Sequence, residues 1–122
     1  MNALPREQST TWVHVCDLPS LIPDAGVAAL VGDVQIALFC ASSPEQGLWA
    51  VGNYDPIGGA NVISRGIIGD INDEPVVSSP LYKQHFSLNT GVCLEDATHA
   101  LPVYPVRLQD DGVWVSLQHD AD

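Results

Sequence analysis

Apolar and polar residues along this chain alternate with a period of two, the spacing of strands with one buried face, and not with the 3.6 of a helix. Thr11-Trp12-Val13-His14-Val15-Cys16 is rich in β-branched and aromatic residues and predicts a first strand. Asp17-Leu18-Pro19-Ser20 reads as one short helical turn with Asp17 as its cap. Val27 to Val31 and Val34 to Cys40 are apolar runs joined only by Gly32-Asp33, a link that supplies the positive φ of a tight hairpin. Leu48 to Val51 is a further strand after the loop Ala41 to Gly47. Asn53 to Gly66 is loop-like, broken by Pro56, Gly58, Gly59 and Gly66. A second loop, Ser78 to Gln84, lies between Pro75-Val76-Val77 and His85-Phe86-Ser87-Leu88, with Phe86 facing inward. Asn89-Thr90-Gly91 is a turn signal. The chain then forms a plain hairpin, Val103 to Leu108 and Val113 to Leu117 around Gln109-Asp110-Asp111-Gly112. Val113, Val115 and Leu117 alternate with Trp114 and Ser116, which predicts a buried valine face. No segment carries a long amphipathic helical pattern. The expectation is all-β, with about seven to ten short strands in small antiparallel sheets.

The length of 122 residues fits one domain, expected over residues 11–122 behind a loose tail of residues 1–10. A hydrophobic content of 46% against 16% charged residues argues for an ordered core. The net charge is −11, and Arg6, Arg65, Lys83 and Arg107 are the whole basic complement. Nucleic acid is therefore excluded as a partner, since phosphate contacts need clustered cations. No apolar run approaches the ~20 residues of a membrane span, and the polar Met1 to Thr11 does not resemble a signal peptide. The expected setting is the cytoplasm, with no membrane partner.

Cys16, Cys40 and Cys93 are widely spaced and odd in number, which argues against a disulfide framework and against a zinc or iron–sulfur site. Cys40 and Cys93 read as small buried apolar side chains. His14 and Cys16 lie two apart on one strand face, where they could present two metal ligands, but a third and fourth are missing, so no metal is expected there. Trp12, Trp49 and Trp114 read as packing residues. Ser79, His85 and Asp55 can be written as a triad, yet no strained G-x-S-x-G turn surrounds Ser79 and no hydrolase is expected.

The two loops resemble those of the Rieske domain, which read C-x-H and C-P-x-H-G-x-x-F-x-L-x-T-G. Pro80, Phe86, Leu88, Thr90 and Gly91 match the frame. The ligand positions differ: Asn53 and Asp55 stand at the first pair, Ser79 and Tyr82 at the second, and Lys83 replaces the adjacent glycine. A Rieske [2Fe–2S] cluster needs two thiolates and two imidazoles. An amide, a carboxylate, a hydroxyl and a phenol do not replace them. The resemblance sharpens to the small subunits of assimilatory NAD(P)H-dependent nitrite reductases, through Trp49-Ala50-Val51-Gly52-Asn53-Tyr54-Asp55-Pro56, Ser64-Arg65-Gly66-Ile67-Ile68-Gly69-Asp70, Ser79-Pro80-Leu81-Tyr82-Lys83-Gln84-His85-Phe86 and Gly91-Val92-Cys93-Leu94-Glu95-Asp96. This resemblance implies a Rieske-like fold with no catalytic residue, metal or cofactor of its own. It also implies a large-subunit partner carrying FAD, sirohaem and an iron–sulfur cluster that reduces nitrite to ammonium. A stand-alone Rieske-type ferredoxin, another β binding module and an enzyme built on the polar quartet are the alternatives.

For Asn53, Asp55, Ser79 and Tyr82 two readings stand side by side. One is local turn chemistry. The other is a polar network filling the vacated site, with Tyr82 donating to Asp55 and Lys83 or Arg65 neutralising it. In a Rieske domain the two loops meet at one exposed tip. The corresponding tip makes Tyr54, Pro56, Leu81, Tyr82 and Lys83, with Arg65 beside them, the expected partner contacts.

Overall fold

The computed structural model describes residues 12–42 and 47–117, which form twelve short strands and two 3₁₀ turns. In chain order the strands are β1 (Trp12–Asp17), β2 (Gly26–Val31), β3 (Val34–Cys40), β4 (Leu48–Gly52), β5 (Tyr54–Asp55) and β6 (Ala60–Asn61). They continue with β7 (Ile67–Ile71), β8 (Glu74–Ser78), β9 (His85–Ser87), β10 (Val103–Tyr104), β11 (Val106–Gln109) and β12 (Gly112–Ser116). Four antiparallel sheets result, ordered β1-β12-β11, β10-β4-β3-β2, β5-β6 and β7-β8-β9. The all-β expectation holds. The expected tail, Thr11 and the centre of the Ala41 to Gly47 loop lie outside the described residues.

Turn chemistry sets the registers. Gly32 takes φ 61 between β2 and β3. Asn72 and Asp73 (φ 52 and 69) join β7 to β8, and Asp110 and Asp111 (φ 53 and 65) join β11 to β12. Two successive left-handed residues match the right-handed twist of a two-residue hairpin, and Asn and Asp tolerate that backbone. The β7–β8 hairpin was not evident from the sequence, because Ile67 to Ile71 shows no clean alternation: Ile67, Gly69 and Asp70 are exposed.

β3 explains why one run is apolar throughout. Residues 36–40 are all buried, because β3 lies between two cores. Ile36, Leu38 and Cys40 face one with Val113 and Val115; Ala37 and Phe39 face the other with Val51, Ile63, Val77 and Phe86. A strand covered on both faces loses its period. Val113 and Val115 are fully buried, so the predicted valine face is right, and Cys40 and Cys93 are buried as expected.

The amino-terminal strand departs from the sequence reading. His14 pairs with Trp114 and Cys16 with Val113, leaving Val15 as the extra residue of a β-bulge. Successive residues of β12 point to opposite faces, so His14 and Cys16 do too. His14 lies outside, 5.2 Å edge-on from Trp114, while Cys16 packs against the core. Asp17 caps nothing; its carboxylate takes a hydrogen bond from His14 Nε2 at 2.9 Å.

Candidate functional site

The two loops meet at a buried carboxylate. Asp55, in β5, is fully buried together with Ser79, and Asn53 is 2% exposed. Asp55 Oδ1 accepts the backbone N–H groups of Ile57 (2.8 Å) and Gly58 (2.9 Å), and its carbonyl accepts that of Gly59 (2.7 Å). This is the local turn chemistry expected of Asp. Asp55 Oδ2 accepts the Ser79 hydroxyl at 2.5 Å, which ties the first loop to the second. Ser79 in turn organises its own loop. Its Oγ accepts Leu81 N–H (3.2 Å), its carbonyl accepts Lys83 N–H (3.0 Å), and its N–H donates to Gln84 O (2.9 Å). A buried carboxylate with three donors is stable where one without partners is not.

Asn53 does different work. Its Oδ1 accepts Ser64 N–H (2.7 Å), its Nδ2 donates to Gln35 Oε1 (3.3 Å), and its carbonyl accepts Ile63 N–H (3.1 Å). It fastens the 3₁₀ turn Ile63–Arg65 to the start of β3. A Cβ at Gly58 would lie 2.3 Å from Leu81 Cδ1 and 3.0 Å from Asp55 Oδ2, so a larger residue there would have to displace the Leu81 side chain.

The two readings of the polar quartet therefore combine, with a correction. Asn53, Asp55 and Ser79 are inside and hydrogen-bonded, but Tyr82 is 64% exposed and does not reach Asp55. The bonds from Leu81 and Lys83 back to Ser79 fold the loop tightly and leave Tyr82 on its crest. Neither Lys83 nor Arg65 forms an ion pair among the described residues, so Asp55 is satisfied by N–H and O–H donors alone. The written triad does not assemble either. Ser79 gives its proton to Asp55, and His85 Nδ1 is engaged by Glu95 Oε2 at 2.6 Å.

A Rieske cluster does not fit this arrangement. No thiolate or imidazole occupies the four positions, and a direct 2.5 Å hydrogen bond spans the gap that a cluster would need. His85 and Cys93 do not rebuild the set, since both turn to Glu95, Cys93 Sγ at 3.7 Å from Oε1. Among the described residues no group of three or more His, Cys, Asp or Glu is placed to hold a metal.

Outside this closed interior the tip presents Tyr54 (53% exposed), Leu81 (42%) and Tyr82 with exposed Lys83, while Pro56 is half-buried. Arg65 is exposed at the end of its 3₁₀ turn, and no side-chain bond among the described residues links it to either loop. Sequence reasoning missed the clip that holds the second loop from behind. Glu95 accepts both His85 N–H (2.8 Å) and the His85 ring, and the Ser87 hydroxyl bonds Glu74 while accepting Asn89 and Thr90 N–H. The Ser87-x-Asn89-Thr90 turn carried a local signal; a glutamate ten residues beyond its histidine carried none.

The chain is similar in sequence and fold to known proteins. The family described as Rieske-like [2Fe-2S] domain matches residues 11–116. The nitrite reductase (NADH) small subunit of Escherichia coli (strain K12) is 38% identical over 102 residues, covering 84% of this chain and 94% of that protein. The solution structure of the nitrite reductase [NAD(P)H] small subunit from Erwinia carotovora is 40% identical, with a TM-score of 0.74 over 91% of this chain and 84% of that one. A Klebsiella oxytoca protein named nitrite reductase [NAD(P)H] large subunit is 39% identical over 93% of this chain, and the chain spans 12% of its length. The frame, the replaced ligand positions and these relatives agree: the chain belongs to the Rieske-like small subunits of nitrite reductase.

Proposed function

We propose that this chain is an accessory subunit of a cytoplasmic NAD(P)H-dependent nitrite reductase and holds no redox group of its own. A large subunit carrying FAD, sirohaem and an iron–sulfur cluster would reduce nitrite to ammonium, and this domain would dock on it to order or regulate it. The observation that carries this reading is the closed loop pair. Reducing nitrite requires groups that accept and pass electrons, and the amide, carboxylate and hydroxyl of Asn53, Asp55 and Ser79 do neither. The Klebsiella relative supports the partner assignment, because a matching segment lies inside a polypeptide named large subunit.

The test compares this chain alone, the large subunit alone and the two together. The chain alone is expected to be colourless, to show no nitrite-dependent NAD(P)H oxidation, and to bind the large subunit on co-purification from the native host. Near-stoichiometric iron and acid-labile sulfide in the chain alone would replace this reading with a stand-alone ferredoxin. Turnover of nitrite by the chain alone would make it an enzyme, and no binding to the large subunit would end the accessory role.

A further inference from the structure

Among the described residues six other than glycine adopt positive φ, and five of them are Asp or Asn: Asp24, Asn72, Asp73, Asp110 and Asp111. Those side chains are short, polar and suited to left-handed backbone. The sixth is Lys83, at φ 67, which gains nothing comparable from its side chain. A glycine would adopt the same backbone freely. Two hydrogen bonds impose it, Lys83 N–H to Ser79 O and Ser79 N–H to Gln84 O, and Ser79 is itself fixed on Asp55.

This strained residue is also an unpaired cation. Lys83 is exposed and meets no carboxylate among the described residues, although the chain holds 15 Asp+Glu against 4 Lys+Arg. Its chain neighbours Leu81 and Tyr82 expose apolar surface, and Leu81 lies against Gly58 of the first loop. Strained residues persist where the surroundings over-determine them, and they concentrate at sites of function. Tyrosine anchors interfaces, and a lone charge of opposite sign to its surroundings fixes orientation.

We infer that Lys83 is the orienting cation of a docking surface, seated on a carboxylate of the large subunit and flanked by the exposed Leu81 and Tyr82. This rests on the accessory-subunit reading and names the part of the domain that meets the partner. The excess acid of the domain repels most acidic surfaces, so an acidic spot on the partner is accepted where an unpaired cation such as Lys83 meets it. The fixed backbone anchors the base of the Lys83 side chain and limits the backbone ordering needed on binding.

Calorimetric titration of the full chain into the large subunit, at low and high salt, tests this. Lys83→Gly is expected to raise the thermal midpoint of the domain yet weaken binding about tenfold and flatten its salt dependence. Lys83→Glu is expected to weaken it about a hundredfold, and Lys83→Arg to stay within about threefold of the wild type. Wild-type affinity and salt dependence in Lys83→Gly would overturn the inference while leaving the accessory role intact. A lowered midpoint in Lys83→Gly would overturn it as well, by tracing any lost binding to folding. No binding by the wild-type chain would instead remove the reading on which the inference rests. Nitrite titrated into the full chain, followed by NMR, is expected to leave the Lys83 signals unmoved; saturable shifts there would make the spot a small-anion site and overturn the docking role.

Discussion

Strand β12 and the paired loops each bury key side chains, by opposite means. Val113 and Val115 of β12 are fully buried among Leu21, Ile36 and Leu38, where burial is non-directional and contributes roughly 25 cal/mol per Å². The loops bury Asp55, Ser79 and Asn53, whose side chains tolerate this only because donors and acceptors are matched. In the sheet a deleted atom leaves a cavity; in the loops it leaves an orphaned polar group. The sheet therefore tolerates apolar exchange of similar volume, and the loops do not tolerate exchange of chemistry. The same contrast shows what closes the two loops of this Rieske-like frame on each other: one directional bond between Asp55 and Ser79.

Placing each chemistry in the other region's role breaks the comparison most sharply. Val115→Asp puts a carboxylate among apolar side chains with no donor set like that of Asp55. It is expected to cost about 4 kcal/mol or more, close to the whole stability of a small domain. An unchanged thermal melt would show that β12 is not packed as described. Asp55→Ala orphans two backbone N–H groups and the Ser79 hydroxyl, and is expected to cost about 3 kcal/mol by urea unfolding. Ser79→Ala leaves Asp55 Oδ1 with both its donors and is expected to cost about 1–2 kcal/mol. If Asp55→Ala proves no worse than Ser79→Ala, the carboxylate is not the hub of the loops.

What the sequence revealed divides along the same line. Apolar alternation located β12 and its inward valines, and Gly32 and the Asp110-Asp111 pair marked two of the turns. The frame and ligand positions of the loops were legible through Pro80, Phe86 and Gly91. Which polar residue turned inward was not, because Asp55 finds Ser79 across 24 residues and no local period encodes that pairing. Tyr82 was expected beside Asp55 from its position alone, yet the serine already supplied the donor. The bulge at Val15 escaped for a similar reason: β12 across the sheet decides which face His14 takes.

A smaller effect separates the loops' closed interior from their outer surface. Tyr54 and Tyr82 stand outside the Asp55 hydrogen bonds, so replacing both by Ala is expected to leave the domain's melting point nearly unchanged. On the proposed docking role, the double variant should weaken the complex with the large subunit by about 1–3 kcal/mol. Wild-type affinity with an intact circular dichroism spectrum would move the contact away from this tip, most simply to the acidic outer sheet.

The gentlest probe is the clip behind the second loop, where a half-exposed carboxylate can be compared with buried Asp55. Desolvation, the largest single influence, raises the Glu95 pKa, but the hydrogen bonds from the His85 backbone and ring together with the His85 charge outweigh it and hold the group below its ordinary 4.5. A carboxylate depressed on folding contributes stability that is complete above its unfolded value and fades as pH falls through the folded one. Glu95 is 47% exposed, so water screens most of this attraction and the effect is small. Glu95→Gln is expected to melt slightly below the wild type at about pH 7, the gap narrowing as the pH drops below 4.5 toward about 3. Thermal melts across that range check it. A gap that stays constant into acid would mean that Glu95 acts through contacts its neutral acid keeps and the amide does not make, leaving its charge without a part in holding the second loop.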